Sequence, residues 1–205
     1  MSKESAGRDR YIELLQESKR PGIDSLIIWL SGTDFFINPA SSKFHNAYPG
    51  GLCDHSLSVY GAMRNFCKVL QHLSPGFEPT NESIIITSLL HDICKCDEYA
   101  MDTRNKKDET GKWVSVPFYK TAMDTFPIGH GEKSVILAMH HIRLTTDEIV
   151  AIRQHMGAFG LPPYGSINSA DTVSTAYEKF PLALALSFAD QTSSYLMEIQ
   201  GEVPL

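Results

Sequence analysis

Apolar residues recur at helical spacing along most of the chain, separated by polar breaks. Over residues 8–19, Tyr11, Leu14, Leu15 and Ser18 share one face, and the run stops at Arg20-Pro21-Gly22. That pattern predicts a first helix with a proline–glycine end. A short apolar helix is expected over 24–30, with Asp24 as its N-cap. From 52 to 73 the stripe Leu52, Val59, Met63, Phe66, Val69, Leu70 and Leu73 predicts a long amphipathic helix. A second long helix is expected over 81–94, and further helices over 131–141, 146–156 and 176–199. Two segments break the period. "SGTDFFINPASSKFHNAYPGG" (31–51) is rich in Gly, Pro, Ser and Asn and reads as a long ordered loop, a feature often tied to function. "KWVSVPFY" (112–119) alternates and predicts a small hairpin near 110–120 opened at Thr110-Gly111. The expected architecture is an all-α bundle with that one β excursion. It forms a single domain over 1–205, with N-terminal helices and loop over 1–50 and a core over about 51–200.

Several polar residues fall on apolar faces. His55 lies three residues after Leu52 and four before Val59. His155 follows Ile152 by three, and Asp190 follows Leu186 by four. His91 and Asp92 close the apolar run "IIITSLL", and His130 opens a helix. One histidine on an apolar face is ordinarily a core residue bonded to a carbonyl. Four imidazoles and two carboxylates from separate helices are harder to explain that way. Burying carboxylates without a positive partner costs several kcal/mol each or shifts their pKa values far upward. No Lys or Arg is evident on the same faces. Divalent metal ions would serve, and mixed His/Asp ligation suits Fe, Mn, Ni or Zn. Six ligands can be shared by two ions with Asp92 bridging.

Composition narrows the function. The formal net charge is -6 and the pI about 5.7, so no basic field exists for wrapping duplex DNA, although a small anion needs only local positive charge. No apolar run approaches the roughly 18–20 residues that span a bilayer, and no secretory signal is visible. Cys53, Cys67, Cys94 and Cys96 match neither paired CxxC motifs nor a disulfide framework. Reduced thiols in a cytoplasmic protein are expected, with Cys94 and Cys96 as bystanders to the metal site.

The phrases "GGLCDHSLSVY", "LLHDICK", "GHGEKS", "IRQHMG" and "ALSFADQTS" resemble, in order, the motifs of the HD-domain superfamily. The ordered pattern H…HD…H…H…D covers about 50–194, and the 33–51 segment is similar to the lead-in of bacterial and phage HD phosphohydrolases. The resemblance implies an all-helical metal-dependent phosphohydrolase with His55, His91, Asp92 and Asp190 as the core ligands. It also implies His130 and His155 as the additional ligands of two-metal members. Cys94 departs from the family, which usually has glycine after HDI. Lys95 matches a lysine that contacts a phosphate or an acidic side chain.

The expected reaction is hydrolysis of a phosphate ester, a nucleotide or short oligonucleotide, by water activated between two metal ions. His91, Asp92 and Lys95 would carry catalysis, and His45, Tyr48 and Lys95 would contact substrate. Gln191 and Ser194 would orient ligands. Two alternatives share the ligand pattern: a mixed-valence di-iron oxygenase of the same superfamily, and a non-catalytic nucleotide-binding HD module. A homodimer is left open, and so is a lid role for the hairpin.

Overall fold

A computed structural model describes residues 3–122, 126–157 and 168–199. Its elements follow in the order α1 (Lys3–Glu17), α2 (Ile23–Gly32), α3 (Gly51–Leu73), α4 (Asn81–Leu90), β1 (Tyr99–Lys107), β2 (Trp113–Thr121), α5 (His130–Met139), α6 (Thr146–Gln154), α7 (Asn168–Lys179) and α8 (Pro181–Thr192). The chain is mostly helical, with one antiparallel strand pair, and no helix among the described residues is long and apolar enough to cross a membrane.

α4 is the centre of the bundle. Thr80 caps it by accepting from the Ser83 N–H, and every residue from Ile84 to Leu90 is buried. A helix apolar all round must be enclosed. α1, α3 and α6 enclose it, and α8 lies across α3 and α6. Leu14, Leu15, Leu26, Leu52, Met63, Ile85, Leu89 and Leu186 fill the space between them. α5 lies against α6 so closely that a side chain on Gly131 would collide with the Arg153 backbone.

The loop ahead of α3 is ordered by its own backbone. Ala40 N–H donates to the Asn46 carbonyl, Asn46 N–H to the Ile199 carbonyl, and Leu52 N–H to the Asn38 carbonyl. Gly50 has φ +80°, and a Cβ on Gly51 would strike the Asn46 carbonyl, so the paired glycines let the loop fold under the helix start.

Several expectations need correction. The helix expected over 81–94 ends at Leu90, and after His91 the chain turns at Asp92 (φ -112°, ψ 15°) into a single 3₁₀ turn, Ile93–Lys95. The helix expected over 176–199 is divided: α7 stops before Phe180, Pro181 starts α8 at the position that favours it, and a π turn runs over Ser193–Met197. The hairpin is larger than its second strand suggested, with Tyr99 opposite Thr121 and Lys107 opposite Trp113. Its turn is held by Asp108, whose carboxylate accepts from Thr110 and Lys112 N–H. α2 is capped by Gly22 with Asp24 inside its first turn. The stripe of α3 is buried at Leu52, Val59 and Met63 but emerges into solvent at Val69 and Leu73.

Candidate metal centre

α4 and α6 end in the same way. The last carbonyls of a helix have no partner within it. At the C-cap of α4, His91 donates from Nδ1 to the Ser88 carbonyl, 2.8 Å away. At the C-cap of α6, His155 donates from Nδ1 to the Ile152 carbonyl, 2.6 Å away. A carbonyl can only accept, so each ring carries a proton on Nδ1 and turns Nε2 toward the cluster. His55, on the buried face of α3, reaches the same state through Glu198, whose Oε1 lies 2.9 Å from its Nδ1.

The three Nε2 atoms converge on two carboxylates. His55 Nε2 lies 3.1 Å from His91 Nε2, a hydrogen bond when His55 carries a second proton and a contact between two lone pairs when it does not. It also lies 3.3 Å from Asp190 Oδ1 and 3.4 Å from Asp92 Oδ2. On the other side of Asp92, Oδ1 is 2.6 Å from His130 Nε2 and 3.5 Å from His155 Nε2. His155 Nε2 is buried without a hydrogen-bond partner. Asp92 thus has one oxygen toward His55 and His91 and the other toward His130 and His155. The C-terminal ends of α4 and α6 both point here, and the negative end of a helix dipole favours a cation.

Charges in the cluster respond to one another. Burial opposes ionisation of Asp92 and Asp190, yet both pKa values are lowered, Asp92 chiefly by Lys95 and the imidazoles, Asp190 by His55. Burial also opposes charge on His55, but Asp190, Asp92 and Glu198 raise its pKa well above the usual value. His155 rises likewise, with Asp92 outweighing burial. His91 moves the other way, down to about 3, because burial dominates. Without metal, protons on His55 and His155 offset the carboxylates; divalent ions would replace those protons.

All six residues read from the sequence as ligands meet at this point. Groups within ligating distance of one another include His55, His91 and Asp92; His91, His155 and Asp190; and Asp92, Cys94 and His130. Converging imidazoles, an unpartnered buried Nε2 and two carboxylates form a donor set that fits divalent ions of the first transition series.

The remaining candidates divide. Lys95 is half-buried, and its Nζ donates to Asp92 Oδ2 at 2.6 Å and to the Ala40 carbonyl at 2.8 Å. The expectation that no lysine faces these carboxylates is therefore wrong. The 3₁₀ turn brings residue i+3 back over residue i, which helical spacing upstream did not reveal. His45 packs its ring 5.0 Å from that of His55, and burial, with His55 and Lys95 nearby, lowers its pKa to about 4. The Tyr48 hydroxyl donates to Asp54 at 2.8 Å, and Tyr48 is not among the residues lining the cavity. Ser194 donates to Asp190 Oδ1, whereas Gln191 bonds Ser187 rather than a ligand.

Two participants were missed. Glu198, beyond the π turn, has no signal in local periodicity. Cys94 places its sulfur 3.3 Å from His130 Nδ1, and its position after His91-Asp92-Ile93 was the signal.

A cavity of about 400 Å³ opens onto the cluster. Asp92, Lys95, His130, His155 and Asp190 form its floor, and Phe44, His45, Met156 and Tyr195 are among its walls.

No family model matches the chain, and no solved structure does. A dihydroneopterin 2',3'-cyclic phosphate phosphodiesterase of Methanocaldococcus jannaschii is 35% identical over 94 residues. The match takes in 45% of this chain and 35% of that protein's length.

Proposed function

We propose that the chain is a metal-dependent phosphohydrolase of the HD-domain superfamily, hydrolysing a small phosphate ester at a dinuclear centre. The observation that carries this reading is the convergence of His55, His91 and His155. Each has its Nδ1 engaged elsewhere and turns Nε2 onto Asp92 and Asp190. The similarity to a cyclic-phosphate phosphodiesterase supports the reaction class. A nucleotide, a cyclic nucleotide or a comparable ring-bearing phosphodiester fits a cavity walled by Phe44, Met156 and Tyr195 above a floor that holds Lys95 and the candidate metal ligands.

In this reading His55, His91, Asp92, His130, His155 and Asp190 would together hold the ions, with Asp92 between the imidazoles on its two sides. Bound there, divalent ions supply a water of lowered pKa and draw charge from the phosphoryl oxygens. The chain's own residues do the rest. Lys95 holds Asp92 Oδ2 and keeps a positive charge at the cavity floor. His45, neutral at pH 7, acts as a hydrogen-bonding contact to substrate and not as a cation. Hydrolysis joins a water oxygen to phosphorus, breaks the ester P–O bond and passes a proton to the leaving oxygen.

The test is an assay of anaerobically purified protein, loaded with Mn, Fe, Ni or Zn, against 2',3'-cyclic nucleotides, mononucleotides and short RNA. Metal-dependent release of a phosphomonoester or phosphate is expected. Metal binding with no hydrolysis of any of these, or oxygen consumption without phosphate release, would sink the assignment.

A further inference from the structure

Cys94 stands where the resembling family usually has glycine, and the structure gives its side chain a place in the cluster. It is 1% exposed, and its Sγ lies 3.3 Å from Nδ1 and 3.4 Å from Nε2 of His130. Near-equal distances to the two ring nitrogens put the sulfur off the axis of either, so it serves neither as a directed hydrogen bond. A ligand atom from each of Asp92, Cys94 and His130 falls within 4.8 Å of the others, a neighbourhood from which small side-chain shifts would bring all three to about 2.0–2.3 Å from one ion. The second observation is independent of the cysteine. His155 Nε2, fully buried and without a hydrogen-bond partner, points at the same Asp92 Oδ1 that faces His130.

We infer that Cys94 is a seventh ligand, completing a His130–His155–Asp92–Cys94 site that takes a thiophilic divalent ion. The inference rests on the proposed dinuclear reading and adds a thiolate to one half of it. As the sulfur–metal bond forms, the thiol loses its proton to solvent; metal coordination is what deprotonates a thiol in so buried a place. The two halves then differ in chemistry. The His55–His91–Asp190 half has only nitrogen and oxygen donors and accepts Mn or Fe. The sulfur-bearing half selects Zn, Co or Fe over Mg and Mn.

Anaerobic titration of the full chain with cobalt(II) alone tests this. The expected spectrum contains a near-ultraviolet thiolate-to-cobalt charge-transfer band. The band should vanish in Cys94→Ser and persist in Cys96→Ser. Cys94→Ser should bind one of its two cobalt ions at least about tenfold more weakly. If Cys94→Ser does not fold, Cys94→Gly, which restores the residue the family carries, takes its place. Cobalt bound by the wild-type chain without that band, or a band that survives both replacements, overturns the cysteine ligand and leaves the His/Asp centre standing. No cobalt uptake at all removes the centre itself.

Discussion

The same two helices carry a buried polar cluster at each end, and the clusters are opposites. At the starts of α4 and α6, Glu148 is fully buried with Arg20 beside it. Its Oε1 accepts from Arg20 Nη2 and Ser83 Oγ, and its Oε2 accepts from Arg20 Nη1 and Thr145 N–H. Arg20 also pairs with Glu82 through Nε and reaches the Arg143 carbonyl. Every one of those contacts joins a donor to an acceptor. At the ends of the helices, imidazoles crowd one another and two carboxylates, with the Lys95 amine beside Asp92. Burial is similar and completeness is not. A cluster whose atoms answer one another is part of the scaffold, whereas one whose contacts close only with extra protons or a cation among its imidazoles is suited to binding one.

The comparison breaks most readily at Asp92. Asp92→Asn should cut metal affinity and turnover by at least about 100-fold, beyond what loss of a supporting partner costs, as measured by metal analysis and phosphodiester hydrolysis. Near-normal metal content in that variant would refute its bridging role. At the other cluster, Arg20→Ala should leave metal content unchanged and cost about 3–5 kcal/mol in urea unfolding, because it strands the Glu148 charge. A joint Arg20→Met, Glu148→Leu replacement should cost less than Arg20→Ala; a larger loss would show that the ion pair does more than complete a scaffold.

The smallest effect is the pH response, which should have opposite signs at the two ends. Folding lowers the pKa of Glu148, with Arg20 and its other hydrogen bonds outweighing burial. That contribution is present above the ordinary carboxylate value and lost as pH falls through the folded one. His55 and His155 are raised from 6.5, so in metal-free protein their contribution is full below 6.5 and lost as pH rises through the folded values. Melting temperature in chelator should therefore fall on the alkaline side, and added zinc should reverse that fall by displacing the protons. A profile unaffected by zinc would contradict metal binding at these histidines.

Much of this was legible in the sequence for a local reason. The stripe through Leu52 and Val59 puts His55 inside α3, and the apolar run of α4 delivers His91 and Asp92 into the core. What escaped depended on departures from regular period. The turn at Asp92 and the 3₁₀ turn after it decide where Cys94 and Lys95 point, and helical spacing upstream is blind to both. Glu198 reaches His55 only after a π turn, 143 residues away along the chain. β1 was missed because "YAMDTRNKK" is polar on both faces and lacks a buried residue. The break at Phe180 did have a signal, Pro181, which the apolar run "LALALSFA" outweighed.

Both ends of α4 and α6 are committed, and that has a bearing on where the chain can change length. Ser83 and His91 are eight residues apart, and Glu148 and His155 are seven. Both intervals span about two turns, with Glu148 and His155 within about 20° of each other around α6 and Ser83 and His91 about 80° apart around α4, so the spacing sets which group reaches which cluster. One inserted residue between them would swing one group by about 100° relative to its mate. These intervals are fixed gauges, intolerant of insertion or deletion, while the exposed turn over 108–112 is free to grow or shrink.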